Sequence, residues 1–160
     1  MAKEQLIVFK IGNEVFGVEI GLIKEIIPYQ DVTPVPDSYD FVEGIINLRG
    51  RIVTVIDMRK RLHAPVAPHE KSTRIIIMES DGRLMGLIVD SANEILRVSP
   101  DMIAPPPELI SEVGAQYITG IARISERLII MLDLRRILSA EELGRLEDLT
   151  NILYGSASQN

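Results

Sequence analysis

Cysteine and tryptophan are absent from this chain of 160 residues, and only two histidines, three phenylalanines and four tyrosines are present. Without cysteine there is no disulfide framework, no thiolate zinc site and no cysteine nucleophile, which suits a cytosolic setting. Two histidines without a GxSxG elbow leave nothing to assemble a nucleophilic triad, and neither GxxxxGK[ST] nor GxGxxG occurs to cradle a phosphate. The few aromatics and a net charge of -6 exclude the basic, aromatic-lined groove of a non-specific nucleic-acid binder. Long apolar runs are missing too. The N-terminal MAKEQLIVFKIG lacks the build of a signal peptide, and no segment approaches the ~20 apolar residues of a membrane helix. A chain of this length buries roughly 70% of its unfolded surface, so it needs neither metal nor disulfide to fold.

What is present is a repeat. GIINLRGRIVTVIDMRKRL, from Gly44 to Leu62, returns without a gap 76 residues later as GIARISERLIIMLDLRRIL, from Gly120 to Leu138. Arg51 meets Arg127, Asp57 meets Asp133, Arg59 meets Arg135, and Lys60 faces Arg136. At an offset of 69, Ile7 to Ile27 runs beside Ile76 to Leu96, with Gly17 opposite Gly86 and Glu25 opposite Glu94. One supersecondary unit is written twice.

In the first copy, β-rich runs cover Leu6 to Ile11, Val15 to Ile20, Ile23 to Ile27, Phe41 to Leu48 and Arg51 to Ile56. The second has matching runs at Arg74 to Glu79, Leu84 to Val89, around Glu94 to Val98, Tyr117 to Ile124 and Arg127 to Leu132. Proline-rich connectors follow the third run of each copy, and regular structure is not expected there. Five short strands per copy, with close turn signals, predict a mainly β chain built as two small closed barrels. After Ser139 the texture changes. Ser139 and Glu142 form a capping box, and Leu143, Leu146, Leu149, Ile152 and Leu153 make a stripe, predicting a C-terminal helix of about four turns.

Asp57 and Asp133 have the look of an acid–base pair, yet each stands between a strand and a predicted helical turn, where capping explains it. His63 and His69 lie in the segment HAPVAPHEKS, with no counterpart in the second copy, and read as solvated linker residues. The repeat acts as an internal control: positions alike in both copies serve the fold, and those that differ can carry the specialised task. Gly44/Gly120 and Glu25/Glu94 thereby lean structural. Asn47-Leu48-Arg49-Gly50 becomes Arg123-Ile124-Ser125-Glu126, so a basic hairpin tip exists only in the first copy. An arginine on a tight turn suits a carboxylate on a partner protein, because its planar fork binds bidentately.

VFKIGNEVFGVEI, the IKEII-to-VTPVP passage, FVEGIINLRGRIVTVIDMRKRL, MGLIVDSANEIL and YITGIARISERLIIMLDLRRIL together resemble the CheW family of coupling proteins in bacterial chemotaxis arrays. The resemblance covers Gln5 to Leu138, and the NLRG turn is its strongest mark. It implies a CheW-like domain over residues 1–138, with repeat one about 5–62, a linker 63–72 and repeat two about 73–138, then a helix and tail over 139–160. The fold it implies is two SH3-like five-stranded barrel subdomains, with sequence halves that need not equal spatial lobes. The function implied is a non-enzymatic cytoplasmic adaptor without cofactor or metal, recruited to membrane receptor arrays without inserting in the bilayer. Its implied partners are the regulatory domain of the histidine kinase CheA and the cytoplasmic tips of chemoreceptors. Carried over by position, the receptor-facing groove uses Ile23, Glu25, Ile26, Gly44 and Arg49, with Ile75 and Ile95 from the second copy. The kinase contact, made in the family by apolar patches at the barrel ends, is not placed by the sequence. Pro28 and Thr54 depart from the family's usual residues. The alternative is a CheW-like adaptor of a non-flagellar receptor–kinase pathway governing pili or second-messenger output; a small-ligand module on an SH3- or OB-like barrel would want an aromatic platform that the few Phe and Tyr hardly supply.

Overall fold

Leu6 to Phe9 and Ile75 to Met78 are apolar at every position, and a strand with no polar face must be covered on both sides. The computed structural model, which describes residues 4–36, 38–107 and 116–148, shows how each is covered. β1 (Glu4–Ile11) and β6 (Arg74–Ser80) each lie inside a sheet of their own. Leu6 and Val8 enter a core with Val98, Ala122, Ile129 and Met131, and Ile75 and Ile77 enter another with Ile46, Val53, Val55 and Ile88. Their alternate neighbours Ile7, Phe9, Ile76 and Met78 share a third core between the sheets. At ~1.5–3 kcal/mol for each large side chain removed from water, these three layers are the main stabilising term.

The remaining strands are β2 (Glu14–Glu19), β3 (Ile23–Pro28), β4 (Val42–Leu48), β5 (Arg51–Asp57), β7 (Arg83–Val89), β8 (Ser91–Val98), β9 (Ile103–Ala104), β10 (Ile118–Ile124) and β11 (Arg127–Leu132). One sheet runs β8-β1-β2-β11-β10-β9 and the other β3-β6-β7-β5-β4. Each therefore joins the opening hairpin of one repeat to the remaining strands of the other, four in the first sheet and three in the second. Each exchanged hairpin has two seams, one antiparallel, β1 with β8 and β6 with β3, and one parallel, β2 with β11 and β7 with β5. A core drawn from one sheet alone requires that sheet to curl on itself, as an SH3-like barrel does.

The connectors are less empty than their prolines predict. Ile103–Ala104 pairs with Ala122 and Ile121, and Thr33 bridges Ile45 at the equivalent place in the other sheet. Both crossings meet a bulge, at Gly44 and at Gly120. Gly44 has φ 149°, and a Cβ there would stand 2.0 Å from the Thr33 carbonyl oxygen. A side chain does not fit.

After β5 comes the single turn α1 (Met58–Arg61), and after β11 a 3-10 turn Leu134–Arg136. Arg61 lies between the repeat-related rings of Phe41 and Tyr117, 5.3 and 5.4 Å from their centroids, and its Nε donates to the Ile137 carbonyl at 2.7 Å. This arginine thus clamps the two halves together. A helix, α2, occupies 140–148 and is capped reciprocally: the Glu142 amide donates to Ser139 Oγ at 3.1 Å and the Ser139 amide to Glu142 Oε1 at 2.8 Å. Its Leu143 and Leu146 pack on the central core; Leu149, Ile152 and Leu153 lie outside the described residues.

Candidate functional site

Leu48 and Arg51 face one another at the end of the β4–β5 ladder, so only Arg49 and Gly50 remain to reverse the chain. Both take positive φ, 50° and 88°, the conformation of a type I′ turn whose twist matches the strands. Asn47 Oδ1 accepts from the Gly50 amide at 2.8 Å and fixes the tip. Arg49 is two-thirds exposed, and its Nη2 donates to Glu25 Oε2 at 2.5 Å. Two residues drawn from β3 and the β4–β5 turn thus meet as a presented ion pair. Beside them, Glu79 accepts from Lys24 at 2.8 Å and lies 3.6 Å from Arg51, and the Lys24 hydrogen bond holds its carboxyl below the usual value.

β3 has a second face. A register shift between Ile23 and Glu25 sends Ile23 and Ile26 onto the inter-sheet core, where both are half-buried. Ile95 stands opposite Ile7 on β8, is 58% exposed, and belongs to a strand that also packs against β6. Ile23, Ile26 and Ile95 therefore border the cleft between the sheets, while Glu25 and Arg49 stand at the edge of the second sheet. Gly44 and Ile75 do not join them. Gly44 is buried beneath the Thr33 backbone, and Ile75 is fully buried in the second sheet's core, because the alternation of β6 turns it inward. Neither is a surface contact; both support the site from within.

The paired aspartates are caps. Asp57 accepts from the Arg59 amide at 2.9 Å, and Asp133 from the Arg135 amide at 3.0 Å. Each carboxylate also holds the arginine side chain two residues on, so neither is a free base. Burial alone would raise the Asp133 carboxyl, but hydrogen bonds from Arg135 and the charges of Arg135 and Arg136 outweigh it and keep the group below its usual value. Among the described residues no cluster of three or more acidic or histidine side chains is set to hold a metal.

Sequence reasoning missed the environment of Arg59. It is 2% exposed, its Nη1 donates to the Ala67 carbonyl, its Nη2 lies 3.4 Å from His69 Nδ1, and Asp90 is 3.7 Å away. His69 stacks on Tyr29 with centroids 3.9 Å apart, so this part of the linker is pinned and His69 is not simply solvated. Asp90 also accepts from the Gly12 amide at 2.6 Å, tying the first sheet's hairpin to the second sheet. The pairing with Asp57 had one signal, an arginine two residues after a capping aspartate in both repeats, and the burial had none.

On the first sheet Arg127 grips Glu94 with two hydrogen bonds of 2.9 Å, which hold the glutamate's carboxyl below its usual value. An apolar patch lies beyond, at the β9 edge, where Leu128 is 58% exposed and lines a groove with Met102, Ile103 and Ile121. Among the described residues, no helix is long and apolar enough to cross a membrane.

The family model for a CheW-like domain matches residues 5–142. The chain is 31% identical over 146 residues to the chemotaxis protein CheW of Klebsiella aerogenes, a match covering 91% of this chain and 88% of that protein. With the CheW of Treponema pallidum it shares 35% over 149 residues, again 91% and 88% of the two chains. In structure it is similar to the scaffolding protein TtCheW from Thermoanaerobacter tengcongensis, with a TM-score of 0.81 and 33% identity over 88% of this chain and 96% of that one. The chain belongs to the CheW family.

Proposed function

We propose that this member of the CheW family is a cytoplasmic, non-enzymatic adaptor that couples chemoreceptors to the histidine kinase CheA and is recruited to receptor arrays at the membrane. The observation that carries the reading is Arg49, presented on a rigid I′ turn next to the cleft bordered by Ile23, Ile26 and Ile95. A receptor tip that is helical offers an apolar stripe and flanking carboxylates. The stripe lies along the isoleucines, and a carboxylate takes the Arg49 fork that Glu25 occupies in the free protein.

The kinase contact of this reading falls elsewhere, on the apolar patch around Leu128. Its support is that a large aliphatic side chain more than half exposed, next to a groove lined by Met102, Ile103 and Ile121, is what a protein interface covers. Two separate surfaces of modest affinity let an array hold receptor and kinase in one lattice by avidity. The test is co-sedimentation with a receptor cytoplasmic fragment and CheA, following kinase autophosphorylation with wild-type and Arg49→Glu protein. Wild type is expected to raise kinase activity in the complex and the variant not to; a variant that couples fully refutes the site. Failure of wild type to co-sediment refutes the adaptor role itself.

A further inference from the structure

The two Asp-x-Arg turns are nearly superimposable in their bonding. In the first copy Arg59 donates through its amide, Nε and Nη2 to Asp57 at 2.9, 3.1 and 3.2 Å; in the second, Arg135 does the same to Asp133 at 3.0, 3.0 and 3.2 Å. They differ in what lies on them. Over Arg59 the linker 63–72 supplies the Ala67 carbonyl to Nη1, and the Arg59 side chain is 2% exposed. Over Arg135 the chain has no second linker; it proceeds to Ser139 and α2, and among the described residues no carbonyl reaches Nη1. A cleft of about 160 Å³ opens there instead, lined by Val18, Glu19, Leu22, Thr119, Asp133 and Arg135, with the Arg135 side chain 61% exposed.

We propose that this cleft is a docking site for an extended, proline-containing segment of a partner protein, which lays a main-chain carbonyl on Arg135 as the linker lays Ala67 on Arg59. The molecule's own linker supplies the argument for that occupant, since a proline-flanked segment lays its Ala67 carbonyl on the repeat-related arginine of the other sheet. Asp133 fixes the guanidinium plane, so the free edge of the fork is already aimed and little side-chain freedom remains to be lost on binding. Leu22 provides apolar wall, and Glu19 on the rim favours a basic residue near the bound carbonyl. The inference does not rest on the receptor site, since Arg49 and Glu25 take no part in this cleft.

The probe is the capped peptide of residues 63–73 of this chain, titrated into the ¹⁵N-labelled full chain. Saturable shifts are expected at the amides of 18–22, 119 and 131–136 and at Arg135 Nε, with affinity about fivefold weaker or worse in Arg135→Ala. Absence of shifts at millimolar peptide, shifts centred on Arg59 and Asp90 through exchange with the native linker, or shifts indifferent to Arg135→Ala overturn the site. A concentration-dependent dimer that forms without peptide and is abolished by Arg135→Ala overturns the choice of occupant, making it a second copy.

Discussion

Arg59 and Arg135 are the same residue of the same repeat, hold their aspartates with the same three hydrogen bonds, and stand at 2% and 61% side-chain exposure. Local sequence set the fork, and the path of the linker decided which fork was buried. The hairpin tips show the same division: both turns carry a residue at positive φ, Arg49 at 50° and Ser125 at 56°, but only the first presents a cation. Duplication gave this fold two equal halves, and what each half acquired on its surface is what distinguishes them.

The largest effect that sharpens the comparison is at the crossings. Gly44→Ala forces a Cβ into the Thr33 carbonyl at 2.0 Å and should cost upward of about 4 kcal/mol, seen as loss of the folded baseline in denaturant. Gly120→Ala meets the Ala104 carbonyl at 2.9 Å and should cost less, about 1–3 kcal/mol. Equal losses would mean that the two crossings are mechanically alike. Next come the forks: Arg59→Ala strands the buried Asp57 carboxylate and frees the linker, for about 3–5 kcal/mol, whereas Arg135→Ala removes an exposed partner of Asp133 and should cost only a small fraction of that. Of the exposed repeat-related pair, Leu128→Glu should weaken kinase binding about tenfold or more and Ile52→Glu should not; the reverse order would move the kinase patch to the second sheet.

Smallest is the response to acid. Asp133 and Glu94 have carboxyls lowered in the folded state, so the stability they add is present above the unfolded-state value and is lost as pH falls through their folded values. Glu94→Gln should therefore flatten part of the fall in stability below the ordinary carboxylate range, with no change near neutrality. A variant as acid-sensitive as wild type would show that the Arg127–Glu94 pair contributes nothing measurable.

Much of the fold was legible because its signals are local. Ten strand runs, the Arg49-Gly50 turn, the Asp57 and Asp133 caps and the Ser139–Glu142 box each depend on a few neighbouring residues, and each is present. The exchange of opening hairpins depends on pairing between strands distant in sequence, for which alternation carries no mark. β9 was hidden by the prolines after it. Of the residues expected at a receptor groove, Arg49 and Glu25 lie together at the surface, whereas Ile75 and Gly44 are interior by register. The burial of Arg59 could not be read at all, since nothing in its own repeat separates it from Arg135.

The central claim is that one hairpin tip of the two binds receptor. Its most direct test is the binding isotherm of a receptor cytoplasmic fragment with wild type, Arg49→Glu and the matched second-copy variant Ser125→Glu. The account predicts affinity about tenfold weaker or worse for Arg49→Glu and unchanged for Ser125→Glu, with all three folded. Equal weakening by both variants, or none by Arg49→Glu, would contradict it.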